Sequence, residues 1–244
     1  MPNRSVALSF DPVASIPSPL TQETLAAAVR ELAARDPDLA AIVERFGPPP
    51  LWDRPAGFPT LVYIVLEQQV SLASAQAAFA RLCAAVNPLV PERFLELDDA
   101  QLLAIGFSRQ KTRYARNLAR AVAGGEMDLE GLASLADEDV VQSLVALPGI
   151  GPWTASIYLM EALLRPDVWP ATDMALVAAV AEVKGLERRP DVDRMLALAE
   201  PWRPWRSVAA RLFWHDYLSR RGRGAPGVAS VAAPVLAGLD DEIV

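Results

Sequence analysis

The stretch Leu147-Pro148-Gly149-Ile150-Gly151-Pro152-Trp153-Thr154-Ala155 decides the fold of this 244-residue chain. Two glycines around one apolar residue form a turn that no side chain obstructs, because glycine accepts positive φ and lets another backbone come close. Before it, residues 137–146 carry a helical pattern. Asp137 stands as N-cap, Val140, Val141, Leu144 and Val145 share one face, and Pro148 forbids simple continuation. After it, a second helix starts at Pro152, a residue suited to a first turn, and runs to about residue 164 through Ala155, Ile157, Tyr158 and Leu159. The free amides of that helix start and of the glycines make a patch of positive potential suited to a phosphate. Such a contact holds a nucleic-acid backbone without reading its bases. The same residues also fit an ordinary corner between two helices.

Outward from the hairpin, apolar residues recur at three- and four-residue spacing over about 22–34, 37–46, 59–67, 71–86, 99–105, 109–123, 129–136, 172–183, 191–199 and 205–221. Prolines and glycines fall mainly between these segments, so the expected fold class is all-α. Residues 4–10 alternate weakly and suit one short strand.

Composition sets further bounds. A chain 52% hydrophobic and 22% charged can bury a substantial core. Its longest apolar run, 174–181, is far too short to span a membrane, and the N-terminus lacks the basic start and apolar middle of a signal peptide. A cytoplasmic protein, on the nucleoid in a bacterium, is expected, with no membrane partner. Cys83 is alone among Phe79, Leu82 and Val86, which suits a reduced core thiol, and His215 is the single histidine. No Cys/His metal constellation exists in the sequence. The net charge of −7 and pI near 4.9 run against a nucleic-acid partner, whose phosphates favour basic proteins. Local charge can oppose the total. Arg109, Lys111, Arg113, Arg116 and Arg120 form one basic cluster; Arg203, Arg206, Arg211, Arg220, Arg221 and Arg223 form another, with only Asp216 as a nearby acid in sequence.

Three other stretches accompany the hairpin in order: Leu66-Glu67-Gln68-Gln69-Val70-Ser71 upstream, Trp169-Pro170-Ala171-Thr172-Asp173-Met174 after it, and Trp202-Arg203-Pro204-Trp205-Arg206-Ser207 through Trp214 downstream. Together they resemble the helix-hairpin-helix DNA glycosylase superfamily, most closely its monofunctional alkylpurine branch, the 3-methyladenine DNA glycosylase II type. The resemblance spans about residues 58–220. It implies two helical lobes with an interlobe active-site cleft. The first lobe covers 58–165, the second joins 20–57 with 166–225, 1–19 is an extended leader and 226–244 a C-terminal tail that packs as a last helix.

The resemblance also implies roles. Asp173 takes the place of the catalytic carboxylate, which stabilises positive charge building on a sugar as a base leaves. On its own, an acid at a helix start reads equally as a cap. Trp153 stands where bifunctional relatives carry a Schiff-base lysine. Neither Lys111 nor Lys184 occupies that place, so a water-using enzyme without lyase activity is implied. Trp153, Trp214, Ile157 and Met174 take base-pocket positions, where an extruded electron-poor base stacks on indole. Gly149, Gly151, Thr154, Gln68, Gln69, Ser71, Arg109 and Lys111 take DNA-binding positions, with Gln69 at the place of the wedge residue. The backbone carbonyls of Val145, Leu147 and Ile150 take the place of a site for a monovalent cation, Na or K. No cofactor is required, and the four cysteines of an iron–sulfur cluster are missing. The implied protein is a monomer acting on damaged DNA by base excision. A non-catalytic helix-hairpin-helix DNA-binding protein, or a glycosylase for oxidised or deaminated bases, remain the alternatives.

Overall fold

In the computed structural model the described residues are 16–222, and every regular element among them is helical. The expected strand over 4–10, the helix proposed for the 226–244 tail and Arg223 lie outside the described residues. The α-helices follow in order as α1 Gln22–Arg35, α2 Pro37–Phe46, α3 Phe58–Glu67, α4 Leu72–Ala85, α5 Pro91–Glu96, α6 Asp99–Ile105, α7 Arg109–Ala123, α8 Asp137–Val145, α9 Pro152–Glu161, α10 Met174–Val183, α11 Val192–Ala199 and α12 Arg206–Arg220.

The differences from expectation are local. Helix α5 was not anticipated, because it is six residues long with Phe94 as its buried residue, too short for periodicity to register. The helix expected over 129–136 is only a 3-10 turn at Gly131–Ser134, where Asp128 Oδ1 accepts from the Gly131 amide at 3.0 Å. Two helix starts are shifted. Ala136, not Asp137, is the N-cap of α8; Asp137 is the first helical residue and pairs at 3.2 Å with the buried Arg165. Conversely, Asp173 is the N-cap of α10 and lies just outside it. Caps and first-turn acids are the same residue types, so sequence alone does not separate them.

Helix α3 is buried at Phe58 and at every residue from Thr60 to Glu67, which is why it reads as apolar all round rather than on one stripe. Around it pack α4, α7 and α9, while α8 packs on α9 and α5 on α7. A second group forms where α12 packs against α1, α2 and α10. The buried guanidinium of Arg211 on α12 ties the two together. It donates to the carbonyls of Leu51 at 2.8 Å, Ser207 at 3.0 Å and Met160 of α9 at 2.6 Å. A charge removed from water is tolerated only with such partners. At the far end of α10, Lys184 bonds Asp36 and Asp38 at 2.7 and 2.8 Å, and the Trp202 indole donates to Asp36 at 2.8 Å. These contacts anchor α10 to α2 so that its N-terminus, bearing Asp173, faces the hairpin across a cleft.

Candidate active site

Trp153, Ile157 and Glu161 are spaced by four along α9 and therefore share one face. That face lines a cavity of about 1000 Å³. Asp173 and Met174 at the start of α10, Trp214 on α12, Gln68 to Leu72 and Tyr114 complete its lining.

The carboxylate of Asp173 is held by three N–H donors from three places in the chain. Its Oδ1 accepts from the amide of Leu176 at 2.7 Å and from the Trp214 indole at 3.0 Å; its Oδ2 accepts from the Trp153 indole at 2.9 Å. Charge-assisted bonds of this kind fix both the position and the plane of the group. The two tryptophans thus do more than offer ring surface: they aim the acid. Ile157 is buried at 4% exposure, whereas Met174 is 68% exposed and sits at the rim.

The two hairpin glycines differ in kind. Gly149 has φ +99°, and a Cβ there would lie 2.0 Å from Cγ of Tyr114. The fold itself demands that glycine. Gly151 has φ −98°, open to any residue, and a Cβ there would meet nothing within 4 Å. Packing within the protein does not require a glycine there. Helix α9 has no side-chain cap, and its first internal acceptor is reached only by the Ala155 amide, at 3.1 Å to the Gly151 carbonyl. The amides of Trp153 and Thr154 precede that bond and donate to no acceptor among the described residues; Trp153 is half-buried and Thr154 buried.

The remaining sequence candidates divide by how their polar groups are used. Gln68 donates through Nε2 to the Gly149 carbonyl and to Thr154 Oγ1, both at 3.0 Å, pinning the hairpin to the end of α3. Thr154 is buried as a whole residue, and its hydroxyl serves the packing of the hairpin on α3. Gln69 is exposed with φ +57°, at the tip of a loop whose neighbours Val70 and Leu72 are also exposed. Ser71 caps α4 by accepting from the Ser74 amide at 3.2 Å. Lys111 spends its ammonium on the Leu66 carbonyl at 2.6 Å, and burial holds its pKa below the usual range despite the pull of Glu67. Arg109 and Arg113 are exposed and form no ion pair among the described residues.

The second basic cluster requires correction. Arg203 and Arg206 both pair with Asp167 at 2.8 Å, Arg220 with Asp216 and Glu182 at 2.8 and 2.9 Å, and Arg211 is buried. Two of the neutralising acids, Asp167 and Glu182, are distant in sequence, so counting nearby acids missed them. At the end of α8, the carbonyl of Leu147 accepts from the Ile150 amide at 3.1 Å, while those of Val145 and Ile150 accept no such bond among the described residues. The free carbonyl of Val145 at the C-terminus of α8 carries partial negative charge, and with that of Ile150 it has the chemistry to hold a monovalent cation. Among the described residues no cluster of three His, Cys, Asp or Glu side chains suits a metal, and no helix is long and apolar enough to cross a membrane.

Sequence reasoning missed the floor of the cavity. Arg54 is buried and bonds Glu67 bidentately at 3.0 and 2.8 Å; its Nε lies 2.8 Å from Glu161 Oε2. Glu161 and Glu67 together outweigh the effect of burial and keep Arg54 firmly charged. Burial pushes the Glu161 carboxyl up, to about 7, in spite of Arg54. Trp52, with φ +50°, packs edge-on against Trp214 at 6.5 Å between ring centroids. One signal was available: an acid at Glu161 in the stripe that Trp153 and Ile157 begin.

Comparison with known proteins agrees with this geometry. Residues 62–204 match the family described as HhH-GPD superfamily base excision DNA repair protein. A putative DNA-3-methyladenine glycosylase of Bacillus subtilis is 32% identical over 73% of this chain and 65% of its own length. A second B. subtilis protein, a DNA-3-methyladenine glycosylase, is 29% identical over 75% of the chain and again 65% of its own length. The chain therefore spans just under two thirds of either relative. Among solved structures, the 3-methyladenine DNA glycosylase of Schizosaccharomyces pombe in complex with abasic DNA superposes with a TM-score of 0.72, at 26% identity, over 78% of this chain and 95% of that one. With the hairpin, the clefted all-helical architecture and more than half the sequence matched, the chain belongs to the HhH-GPD superfamily of base excision DNA repair proteins.

Proposed function

We propose that the protein is a monofunctional DNA glycosylase for alkylated purines of the 3-methyladenine type, hydrolysing the N-glycosidic bond and leaving an abasic site. The observation that carries this reading is the Asp173 carboxylate, aimed by two indole N–H groups at the wall of a cavity beside the hairpin. The uncapped amides of α9 and bare Gly151 receive a backbone phosphate, Arg109 and Arg113 add charge, and the exposed Gln69 loop fills the gap left by the extruded nucleotide. A monovalent cation held by the carbonyls of Val145, Leu147 and Ile150 would add positive charge beneath that phosphate. The flipped base enters the cavity and its sugar stays at the rim.

As the glycosidic bond lengthens, positive charge spreads over the sugar, and the fixed carboxylate stabilises it without having to reorient. Oδ1 already accepts two bonds and Oδ2 one, so Oδ2 keeps the capacity to accept a proton from the attacking water. The absence of a lyase step is part of the same proposal. Trp153 offers no amine, and Lys111 and Lys184 are both engaged in internal bonds. The protein acts as a monomer on DNA in the cytoplasm and needs no redox cofactor.

The test is incubation with methylated DNA and chromatography of the freed bases. Wild-type protein is expected to release 3-methyladenine or 7-methylguanine, and Asp173→Asn to lose release while still binding abasic DNA. An amide at this place also turns one N–H toward the converging donors, so its plane is less well held. Near wild-type turnover by Asp173→Asn refutes the assignment. Trapping of a covalent adduct by borohydride refutes the monofunctional part, and release of oxidised or deaminated bases alone moves the protein to another substrate class.

A further inference from the structure

The cavity contains a second acid that the proposed chemistry does not use. Glu161 lies two helical turns beyond Trp153 on the same face of α9, about 12 Å along the axis, toward the floor of the cavity. Each oxygen of the other two carboxylates of the wall already accepts at least one hydrogen bond. Both oxygens of Glu67 are bonded by Arg54, and both oxygens of Asp173 accept N–H donors. Glu161 differs. Its Oε2 lies against Arg54 in a contact too poorly aligned to be a hydrogen bond, while Oε1 accepts no hydrogen bond among the described residues. The side chain keeps 13% exposure and lines the cavity, so it presents free acceptor capacity to the cavity.

Charge supports the same reading. Three carboxylates, Glu67, Glu161 and Asp173, line the cavity with one guanidinium, Arg54; a second, Arg211, lies behind the wall and spends its donors on carbonyls. Resting on the glycosylase function above, we propose that Glu161 is the specificity-determining residue of the base pocket. In its ionised form it accepts a hydrogen bond from an N–H on the far edge of the extruded purine and favours cationic, alkylated bases over neutral ones. The indoles supply stacking to any flat base. The open carboxylate adds the discrimination that stacking lacks.

The charged and titratable groups around Glu161 are Arg54 from the loop before α3, Tyr63 and Glu67 of α3, Asp173 at α10 and Arg211 of α12. Burial raises the proton affinity of Glu161 in this setting, so this carboxyl passes from its neutral to its ionised form near pH 7.

The experiment compares wild-type protein, Glu161→Gln and Glu161→Asp on DNA carrying 3-methyladenine, a lesion that stays cationic over the measured pH range, and DNA carrying hypoxanthine, a neutral one. Single-turnover rates and kcat/KM are measured from pH 5.5 to 8.5, with thermal unfolding to establish folding. For wild type, the cationic-to-neutral ratio of kcat/KM is expected to rise with pH through about 7. In Glu161→Gln the ratio is expected to fall by about ten- to a hundredfold, the loss of one charged hydrogen bond, and to become flat with pH. Glu161→Asp, which keeps the charge on a shorter arm, should retain part of the discrimination. Equal loss on both substrates, or an unchanged ratio in folded Glu161→Gln, overturns the role of Glu161 while leaving the glycosylase reading intact. No release of any base by wild type overturns the glycosylase reading and this inference with it.

Discussion

Changing each hairpin glycine to alanine separates what the fold needs from what DNA needs. At Gly149 the backbone sits at φ +99°, where a left-handed conformation costs an L-residue about 1–2 kcal/mol. The added methyl would also stand 2.0 Å from Tyr114 Cγ and 2.6 Å from its Cβ, atoms too near the backbone to swing away. Overpacking of this kind costs roughly another 1–3 kcal/mol. Gly149→Ala should therefore lower stability by about 2–5 kcal/mol, which for a chain of this size is a fall in Tm of roughly 5–15 °C. At Gly151 the backbone is at φ −98° and the methyl meets nothing within 4 Å. Gly151→Ala should leave Tm unchanged or raise it by a few degrees, since reducing the freedom of the unfolded chain is worth about 0.4–1 kcal/mol. The same variant places a methyl where a phosphate must approach the α9 amides, and affinity for abasic DNA should fall on the order of tenfold or more. Thermal unfolding paired with fluorescence-anisotropy titration of an abasic duplex reads both quantities. If Gly151→Ala binds DNA as wild type does, the phosphate does not sit on these amides. If it unfolds as early as Gly149→Ala, the hairpin packs differently from the geometry above.

Two further expectations concern charge. Affinity for DNA should weaken steeply with salt despite the acidic pI, and Arg109→Ala with Arg113→Ala should reduce the log–log salt slope by about one per lost phosphate contact. Arg206→Ala, whose guanidinium is spent on Asp167, should lower Tm and leave that slope alone; a slope that moves with Arg206 and not with Arg109 and Arg113 places the interface elsewhere. The second concerns Glu161, whose carboxyl is raised from 4.5 to about 7 in the folded protein. Between those values the native state binds the proton more tightly than the unfolded chain. Stability from this group therefore falls as pH rises from 4.5 to 7 and is level above, a span on the order of 3 kcal/mol. Glu161→Gln removes this dependence, so the stability difference, variant minus wild type, should grow over that window in urea titrations; a difference independent of pH contradicts the shift.

Much of the hairpin and its surroundings was legible from the chain itself, because glycine, proline and helical periodicity act locally. Pro152 at a helix start and an all-helical architecture follow from backbone sterics and three-to-four spacing, which need no partner to be read. The family resemblance placed Asp173 close enough in sequence to the hairpin for its position to be noticed. What the chain could not disclose was which groups are already satisfied. Lys111, Gln68 and Thr154 read as DNA contacts, yet their side chains bond Leu66, Gly149 and one another. Arg203, Arg206 and Arg220 read as a basic patch until Asp167 and Glu182 arrive from elsewhere in the chain. Only the tertiary structure set the indole N–H groups of Trp153 and Trp214 on one carboxylate, and only it gathered Arg54, Glu67 and Glu161 beneath them. A hydrogen bond or ion pair is decided by differences of a few tenths of an ångström between groups far apart in the chain, 160 positions for Leu51 and Arg211. Local propensity fixes elements, but the chemistry of a site depends on which polar groups folding leaves unspent.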